Sequence, residues 1–405
     1  MKYLILLNRK FPYESGETFL ENEIDEISMF FDKVIIFPSD MTSKNRITRK
    51  IKSPNVEVII FEKHSLKVRN LEYLMYGIFE TKDSTAKGIK QKLYSGYFEA
   101  AADLQSKDII RVLSQMHFQK EDEIIVYSYW LFITARVAIN LKKYFGELSK
   151  VKCISRAHNF DIYEEKKFLP QRKFLLENLD AIFPCSENGS NYLKAKYPEY
   201  NDKIYTSYLG TYDYGRCDKM PSQTFKIISC SRVAPVKRLD LLIDSLKLLR
   251  SIGVSFSWTH LGGGELFEHI KARAYKELDF MEVNLPGMIS NMQVYEYYKN
   301  NYYDVFVNVS SAEGLPVSIM EAASFGIPTI ATDVGGSSEI VKNGITGYVL
   351  EPHFQTKQLA DILKKFALKS SDERQLFHEE TRKMWCKKFQ AKQNYRKFVD
   401  QIEKI

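Results

Sequence analysis

The strongest constraint on the fold is an alternation of short apolar segments with amphipathic ones, and it occurs in both halves of the chain. In the first half, residues 3–7 and 34–37 are apolar, and the apolar residues between Leu20 and Ile27 recur with helical spacing. A strand, a helix and a second strand in this order indicate a parallel sheet. Because the alternation starts again at Phe225, we predict an α/β protein with two mostly parallel sheets.

The length of 405 residues exceeds that of one ordinary domain. A break falls in residues 210–224, which are rich in Gly, Asp, Pro and Ser. We therefore predict an N-terminal domain at 1–218, a C-terminal domain at 219–384, and a C-terminal helix at 385–405 that packs across both domains. Residues 40–120 hold no motif and are interpreted as helical.

Composition excludes a disordered chain and does not favour a nucleic-acid partner. Hydrophobic residues make up 44% of the chain and aromatic residues 13%, which allows a sizeable core. The formal net charge of +7 is modest, and much of it is local. The basic run consists of Lys44, Arg46, Arg49, Lys50, Lys52, Lys63, Lys67 and Arg69. This run is either a solvated surface or a contact with an anionic membrane, where each basic residue contributes about 1 kcal/mol.

Three features predict a cytoplasmic protein. The five cysteines are scattered and form no Cys-x-x-Cys pair, which favours a reducing compartment. The apolar run at residues 3–7 is too short for a signal peptide and is interpreted as a buried strand. Segment 124–141 contains Arg136 and Asn140, so we interpret it as a strand and a helix rather than a membrane span.

The stretch 309–336 predicts a short helix that begins at an anion site. Pro316 marks the start of the helix, and Gly326 followed by Pro328 marks its end. The free N–H groups of the first turn and the helix dipole both favour a negatively charged ligand. The residues assigned to this site are Gly314, Leu315, Val317 and Ser318.

Two carboxylates, Glu313 and Glu321, flank the anion site. They would repel a phosphate unless they point at something else, such as the hydroxyl groups of a sugar or a ribose. An anion site between two such carboxylates indicates a nucleotide-sugar ligand.

Two cations, Arg232 and Lys237, follow the predicted strand at 225–230. In an open parallel sheet, ligands bind outside the carboxyl ends of the strands. Two cations five residues apart can hold a diphosphate without a metal, and the sequence contains no Asp-x-Asp pair for a metal ion. The alternative is a solvated basic turn that includes Arg238. The anion site at Val317 favours the diphosphate.

Three further segments are candidates with open alternatives. The glycine run at 262–264, centred on Gly263, either approaches a ligand or forms a tight turn. Met288 and Ile289 either offer backbone groups to a base or form a plain loop. His158 follows a predicted strand, and it is either structural or a hydrogen-bond donor to a sugar hydroxyl or a leaving phosphate.

Together these motifs resemble the family 4 glycosyltransferases, which are retaining enzymes of the GT-B architecture. The resemblance is carried by Ser-Arg-x-x-x-x-Lys at 231–237, Leu-Gly-Gly-Gly at 261–264, Leu-Pro-Gly at 285–287, Glu-x7-Glu at 313–321, Asp-Val-Gly-Gly-Ser-Ser-Glu at 333–339 and Asn-Gly-Ile-Thr-Gly at 343–347. It implies two Rossmann-like domains that face a central cleft and close over the donor, with the acceptor on the side of the N-terminal domain and the nucleotide sugar on the side of the C-terminal domain. The Gly-Glu-Thr-Phe segment at 16–19 resembles a subset associated with bacterial surface polysaccharides.

The resemblance also implies roles for individual residues. Arg232 and Lys237 would hold the donor diphosphate, Glu313 the hydroxyls of the donor sugar, and Glu321 the ribose. The loop of Met288 and Ile289 would receive the base, and His158 would approach the sugar from the other domain.

The loop after the first strand departs from the family pattern. Members often carry a Gly-Gly pair there, whereas this chain has Ser-Gly-Glu-Thr at 15–18. Gly16 is the remaining candidate for a donor contact in this loop. The acidic residues that follow it, such as Glu17 and Glu21, disfavour a phosphate.

We therefore expect a retaining, metal-independent transferase of the hexosyl type, with a UDP- or GDP-linked sugar as donor and no cofactor. The acceptor would be a glycan or a lipid-linked sugar, in polysaccharide or glycoconjugate synthesis at the inner face of the cell membrane. Two alternatives stay open, namely a nucleotide-sugar epimerase on the same fold and a non-catalytic partner of another glycosyltransferase.

Overall fold

A computed structural model describes residues 1–14, 16–42, 44–61 and 85–405. The chain divides into two compact units. The N-terminal unit consists of Met1–Tyr208 and Tyr395–Ile405, and the C-terminal unit consists of Leu209–Asn394. Each unit holds a six-stranded sheet, and the paired strands of both sheets run parallel. The α/β class predicted from the sequence is confirmed.

The N-terminal unit is a parallel sheet with helices, in the strand order β3-β2-β1-β4-β5-β6. Its described strands are β1 (Lys2–Asn8), β2 (Lys33–Pro38), β3 (Val56–Val58), β4 (Glu123–Ser128), β5 (Lys150–Ala157) and β6 (Ala181–Pro184). Its described helices are α1 (Leu20–Ile27), α2 (Gly88–Leu113), α3 (Ile133–Phe145), α4 (Asn159–Ile162), α5 (Arg172–Asn178) and α6 (Glu187–Lys196).

Apolar periodicity explains the elements of this unit. The side chains from Tyr3 to Asn8 in β1 are all buried, as expected for a central strand covered on both faces. Helix α1 buries Leu20, Ile24 and Ile27, one side of a helix, against the core. Ser186 caps α6 by accepting a hydrogen bond from the N–H of Gly189, as its position before the helix predicts.

The C-terminal unit repeats the topology, in the strand order β12-β11-β10-β7-β8-β9. Its described strands are β7 (Phe225–Cys230), β8 (Phe256–Leu261), β9 (Glu282–Gly287), β10 (Val305–Asn308), β11 (Thr329–Thr332) and β12 (Gly347–Leu350). Its described helices are α7 (Leu239–Lys247), α8 (Phe267–Glu277), α9 (Asn291–Asn300), α10 (Val317–Ser324), α11 (Ser337–Ile340), α12 (Thr356–Ala367) and α13 (Ser371–Lys388).

The division between the units lies ten residues before the position given by the sequence, which was the end of residue 218. The reason is a set of hydrogen bonds from Thr211 to the end of the C-terminal unit. Its N–H donates to the Phe389 carbonyl at 2.9 Å, and its hydroxyl accepts from Trp385 Nε1 at 2.8 Å. These bonds hold residues 209–218 in the C-terminal unit.

The C-terminal segment is two helices rather than the single helix predicted at 385–405. Helix α13 ends at Lys388, and α14 (Ala391–Lys404) follows after a short break. The first four residues of α14 belong to the C-terminal unit, and the remainder belongs to the N-terminal unit. Trp385 and Tyr395 are fully buried, each in its own unit.

Residues 40–120 are not wholly helical, because Val56–Val58 forms the edge strand β3 beside β2. Segment 124–141 is a strand followed by a helix, as predicted. Within the described ranges of the chain, the structure contains no helix with the length and apolarity that crossing a membrane requires. In the basic run, Lys63, Lys67 and Arg69 lie outside the described residues.

Candidate functional site

The strand order places a ligand crevice at the same point of each sheet. In the C-terminal unit, β7 lies between β8 and β10, and the chain winds away from β7 in opposite directions. Ligands of such sheets bind at this switch point, outside the carboxyl ends of the two central strands. The corresponding point of the N-terminal unit lies between β1 and β4.

At the switch point of the C-terminal unit, Lys237 and Glu313 form an ion pair. Lys237 ends a 3-10 turn after β7, and its Nζ atom lies 2.7 Å from Glu313 Oε1, in the loop after β10. Asn308 Nδ2, at the end of β10, donates to the same oxygen at 3.2 Å. Two residues that the sequence assigned to the diphosphate and the donor sugar are therefore brought together.

Arg238 fixes the loop that carries Glu313. Its guanidinium group donates to the carbonyl groups of Val309, Ser310 and Pro352 at 2.6, 3.0 and 2.6 Å. Partial burial of this group lowers the pKa of Arg238. The sequence indicated only a third cation of a basic turn, because carbonyl partners more than 70 residues away leave no local pattern.

Helix α10 starts directly after Pro316, and its first turn points at the loop of Glu313. The N–H groups of Ile319 and Met320 bond to the Pro316 carbonyl, so the helix presents the N–H groups of Val317 and Ser318 at its open end. Gly326 follows the helix with φ +81°, the left-handed conformation of a glycine that ends a helix. Both limits agree with the sequence.

The loop at residues 333–336 packs against the backbone of Glu313 and Gly314. The N–H of Gly336 donates to the Gly314 carbonyl at 2.6 Å. A Cβ atom on Gly335 would lie 2.1 Å from the Glu313 carbonyl oxygen, so the backbones approach more closely there than any side chain permits. Leu315 is buried between these loops. The Val-Gly-Gly part of the 333–339 motif thus shapes the loop of Glu313.

Glu321 is a buried carboxyl group with two donors. It accepts from the Tyr295 hydroxyl at 2.9 Å and from Asn291 Nδ2 at 3.3 Å, both on α9. Burial raises the pKa of Glu321 to about 7, and the two hydrogen bonds oppose this rise. The group is therefore poised between its neutral and ionised forms near pH 7.

The glycine run after β8 packs against the loop after β7. Cβ atoms on Gly262 and Gly264 would lie 2.0 and 2.5 Å from the carbonyl oxygens of Ser231 and Val233, and both glycines have positive φ. Gly263 lies against Met288, because its Cβ would be 3.2 Å from the Met288 N atom. The glycine run therefore forms a tight turn, and Gly263 in this turn packs against the loop that carries Met288.

Met288 and Ile289 lie in the loop after β9, beyond Gly287. The Met288 side chain is 74% exposed, and Ile289 is half-buried.

Arg232 does not join the Lys237–Glu313 pair. Its guanidinium group bonds to Glu265 at 3.4 Å, and its side chain is 67% exposed. Its assignment to a diphosphate stays a prediction.

His158 lies at the carboxyl end of β5 in the N-terminal unit, among aromatic rings. The ring centroids of Phe19, Tyr129 and Trp130 are 5.4, 5.0 and 4.8 Å from its own. Burial, together with the charge of Arg156, lowers the pKa of His158 to about 3. Its Nε2 atom is buried and has no hydrogen-bond partner within the described part of the chain. The imidazole is therefore neutral, and its Nε2 atom is enclosed by the protein.

The buried side chain of Glu17 bonds to the backbone of the loop after β1. Its carboxylate accepts from the backbone N–H groups of Arg9, Lys10 and Phe11 at 3.0, 2.6 and 2.8 Å. It also accepts from Trp130 Nε1 at 2.5 Å, across the switch point of this unit. The sequence analysis missed this role, because it interpreted the acidic residues of this loop only as disfavouring a phosphate.

Gly16, the donor candidate of this loop, lies beside Lys10. A Cβ atom on it would be 2.7 Å from Lys10 Cδ. The backbone N–H groups of residues 9–11 donate to the Glu17 carboxylate. A phosphate that used these donors would have to displace an internal anion.

Comparison with known proteins assigns the C-terminal unit. Residues 218–384 match the sequence model of the family described as glycosyl transferases group 1. These residues are therefore similar to that glycosyltransferase family. The match confirms the resemblance recognised in the motifs at 231–237 and 313–321, both of which lie inside it.

Relatives with curated names include two glycosyltransferases of bacterial polysaccharides. The chain is 28% identical over 226 residues to the Salmonella typhimurium protein named as colanic acid biosynthesis glycosyltransferase WcaL, covering 52% of this chain and 54% of WcaL. It is 26% identical over 155 residues to the amylovoran biosynthesis glycosyltransferase AmsK of Erwinia amylovora, covering 37% and 38%. These alignments span about half or less of each relative's length.

Solved structures show the fold. The chain superimposes on the lipopolysaccharide outer core galactosyltransferase WaaB with a TM-score of 0.70, at 16% identity, covering 100% of this chain and 99% of WaaB. The Anabaena protein HepE, solved in complex with UDP, gives a TM-score of 0.64 at 14% identity and full coverage of both chains. The chain therefore has the GT-B fold, as the resemblance implied.

Proposed function

We propose that the protein is a retaining glycosyltransferase that moves a sugar from a nucleoside diphosphate to an acceptor hydroxyl. The observation that carries the proposal is the Lys237–Glu313 pair at the switch point, 2.7 Å apart and beside the open end of α10. A cation and helix N–H groups suit a diphosphate, while a carboxylate suits sugar hydroxyls. The similarity of residues 218–384 to a glycosyltransferase family supports the same assignment.

In the proposed reaction, the bond between the anomeric carbon and the diphosphate oxygen breaks as the acceptor oxygen bonds to that carbon on the same face. The proton of the acceptor hydroxyl passes to the departing diphosphate. Lys237 and the N–H groups of Val317 and Ser318 stabilise the charge that develops on the leaving group, which requires no metal ion. We do not assign Glu313 as nucleophile, because Lys237 and Asn308 already hold its carboxylate.

The other predicted residues take supporting roles in this proposal. Glu321 accepts hydrogen bonds from the ribose, Arg232 extends the cationic surface for the diphosphate, and the loop of Met288 and Ile289 receives the base. His158 is neutral, so it donates or accepts a hydrogen bond to the transferred sugar rather than a full charge.

The wider context is also part of the proposal. Relatives named for colanic acid and amylovoran synthesis support a role in building a bacterial polysaccharide from a glycan or lipid-linked acceptor. Exposed side chains of the basic run, namely Lys44, Arg46, Lys50 and Lys52, support contact with an anionic membrane at its cytoplasmic face. UDP bound to HepE favours a UDP-linked donor over a GDP-linked one.

Thermal-shift measurements with UDP, GDP, ADP and their sugars test the donor, because a ligand of the native state raises the melting temperature. The donor identified in this way is then radiolabelled and incubated with membrane glycolipids of a polysaccharide-producing bacterium. We expect a new glycoside whose anomeric configuration matches that of the donor. A new nucleotide sugar formed without acceptor would indicate an epimerase instead. Unchanged turnover in both Lys237→Ala and Glu313→Ala would refute the proposed site.

A further inference from the structure

The two oxygens of the Glu321 carboxyl group differ in their hydrogen bonds. Oε1 accepts from the Tyr295 hydroxyl at 2.9 Å and from Asn291 Nδ2 at 3.3 Å. Since a carboxylate oxygen has two lone pairs, these two donors saturate Oε1. The described residues donate no hydrogen bond to Oε2. Because Glu321 is only 5% exposed, we expect a ligand to supply the donors that Oε2 lacks.

Tyr295 has a fixed position on α9 because two aromatic rings stack with it. Its ring centroid lies 4.3 Å from that of Tyr214 and 6.3 Å from that of Phe325, with 25° between the planes in both pairs. Tyr295 is buried, and close packing leaves its ring little room to turn. Phe325 directly follows α10, the helix that carries Glu321. The Tyr295 hydroxyl is therefore fixed relative to that helix.

The segment that carries Tyr214 is itself fixed within the C-terminal unit. Asp213 Oδ2 lies 2.5 Å from Arg382 Nη2 on α13, and the Thr211 hydroxyl accepts from Trp385 Nε1 at 2.8 Å. Tyr214 lies next to these contacts and is therefore a firm support for the Tyr295 ring.

No cation balances the charge of Glu321. Two other titratable groups interact with it, namely Cys230 at the end of β7 and Tyr298 on α9. Burial raises the pKa of Cys230 to about 12 and the pKa of Tyr298 well above its ordinary value, so both stay protonated near neutral pH. The ionised form of Glu321 thus depends on the two hydrogen bonds at Oε1.

We propose that Tyr295 is a positioning residue, which holds Oε1 of Glu321 and leaves Oε2 to accept from the 2′- and 3′-hydroxyls of the donor ribose. The inference rests on the proposed function, in which Glu321 binds the ribose. Without the Tyr295 bond, the carboxylate can turn about its last C–C bond, and its contact with the 2′-hydroxyl loses definition. Tyr295 therefore contributes to the selection of a ribonucleotide over a 2′-deoxyribonucleotide.

Titration calorimetry at pH 8 tests this selection, with UDP against 2′-deoxy-UDP and GDP against 2′-deoxy-GDP. We expect the wild type to bind the ribonucleotide roughly tenfold more tightly, because the deoxy form lacks one hydrogen bond to a charged group. Tyr295→Phe removes the hydroxyl but keeps the stacked ring, and the ratio should fall to about twofold. Asn291→Ala removes the longer bond at an exposed residue and should lower the ratio less.

Tyr302→Phe is the matched control. It removes another buried tyrosine hydroxyl of the same unit, which bonds to His378 Nε2 at 3.0 Å and not to Glu321. This variant should keep the selection ratio of the wild type, even if it unfolds at a lower temperature. A loss of stability alone therefore does not imitate the expected result.

Infrared difference spectra between pH 5 and 9 give a second readout that needs no nucleotide. The C=O stretch of a protonated carboxyl that is missing in Glu321→Gln belongs to Glu321. Tyr295→Phe removes a bond that favours the ionised form, so Glu321 should keep its proton to a higher pH than in the wild type. Tyr302→Phe should leave this titration unchanged.

The outcomes separate this inference from the proposed function. A lowered selection ratio together with a raised titration in Tyr295→Phe supports the inference. An unchanged titration, or a wild-type ratio in a variant that still binds UDP or GDP, overturns the role of Tyr295 and leaves the donor assignment standing. Equal binding of ribo and deoxy forms by the wild type overturns the ribose contact and this inference with it. A wild type that binds no nucleoside diphosphate contradicts the proposed function itself.

Discussion

The two units share one strand order but differ in what lies at the switch point of the sheet. In the N-terminal unit, the carboxylate of Glu17 takes the N–H groups after β1 and bonds across to Trp130 after β4. In the C-terminal unit, Lys237 after β7 pairs with Glu313 after β10, beside the open end of α10. The same backbone topology thus carries an internal anion in one unit and an accessible cation in the other.

This difference shows that the strand order determines where a crevice forms in each sheet. A few side chains in the crevice then determine which ligand can bind there. An internal carboxylate with five donors disfavours a phosphate, because a second anion would find these donors occupied. A lysine held by one carboxylate keeps N–H donors for a diphosphate, since an ammonium group has three. We therefore propose that the diphosphate binds to the C-terminal unit.

The largest effect is expected from removing the cation. Lys237→Ala should lower kcat/KM for the nucleotide sugar by roughly a hundredfold to a thousandfold, because it removes a preorganised charge from the leaving group. The measurement is steady-state turnover of labelled donor. Lys247→Ala is the matched control, since Lys247 forms an equally short pair with Glu277 at 2.7 Å on the surface helices α7 and α8. Equal losses in both variants would contradict the role of Lys237.

The next effect tests the internal anion. Glu17→Gln replaces a carboxylate that accepts from five donors by an amide whose NH2 group faces N–H groups, so the free energy of unfolding should fall by about 3 kcal/mol. Urea denaturation measures this change. Glu14→Gln, at a half-buried residue of the same loop, should change the free energy of unfolding by less than about 1 kcal/mol. A similar small change for Glu17→Gln would show that the carboxylate does not organise this loop.

A third prediction concerns the pH dependence of stability. Burial raises the pKa of Glu321 to about 7 in the native state, from an ordinary value of 4.5. The native state therefore binds more protons than the unfolded state between these values, and stability falls as pH rises through this window. Between pH 5 and 8, Glu321 should cost roughly 2 kcal/mol of unfolding free energy. Glu321→Gln should flatten the wild-type curve by that amount in urea unfolding, and parallel curves would contradict this origin.

The smallest effect concerns the loop that supports Glu313. Gly335→Ala places a Cβ atom 2.1 Å from the Glu313 carbonyl oxygen, so the loop must shift and donor affinity should fall about tenfold. Gly344→Ala is the control, because Gly344 also has positive φ, at +76°, but meets no atom within 4 Å. Titration calorimetry with the donor nucleotide compares the two. Equal affinities would show that the loop position does not matter for binding.

Much of this architecture could be predicted because it follows from local patterns. The apolar periodicity predicted most strands of both sheets but missed the edge strand β3, and Pro316 with Gly326 marked the limits of α10. Lys237 and Glu313 were assigned to one site because both follow strands of one parallel sheet. These inferences need only chain order and the geometry of a sheet.

The remaining features depend on tertiary contacts without local signals. Glu17 reaches the N–H groups of residues 9–11 because its own backbone adopts φ +56°, an uncommon conformation for a residue other than glycine. Arg238 likewise has φ +51° and reaches carbonyl groups more than 70 residues away. The cavity lined by Tyr94, Trp130 and Phe160 combines residues from α2, the loop after β4 and α4. Such combinations emerge only when the sheet order is known.

Hydrogen exchange measured by mass spectrometry, with and without the donor nucleotide, tests the central assignment most directly. We predict that a bound nucleoside diphosphate slows exchange in residues 232–238 and 313–320, which surround the Lys237–Glu313 pair. Residues 8–18, around Glu17, should exchange at the same rate in both states. Slowed exchange confined to residues 8–18 would contradict the account, because it would place the diphosphate at the switch point that an internal carboxylate already occupies.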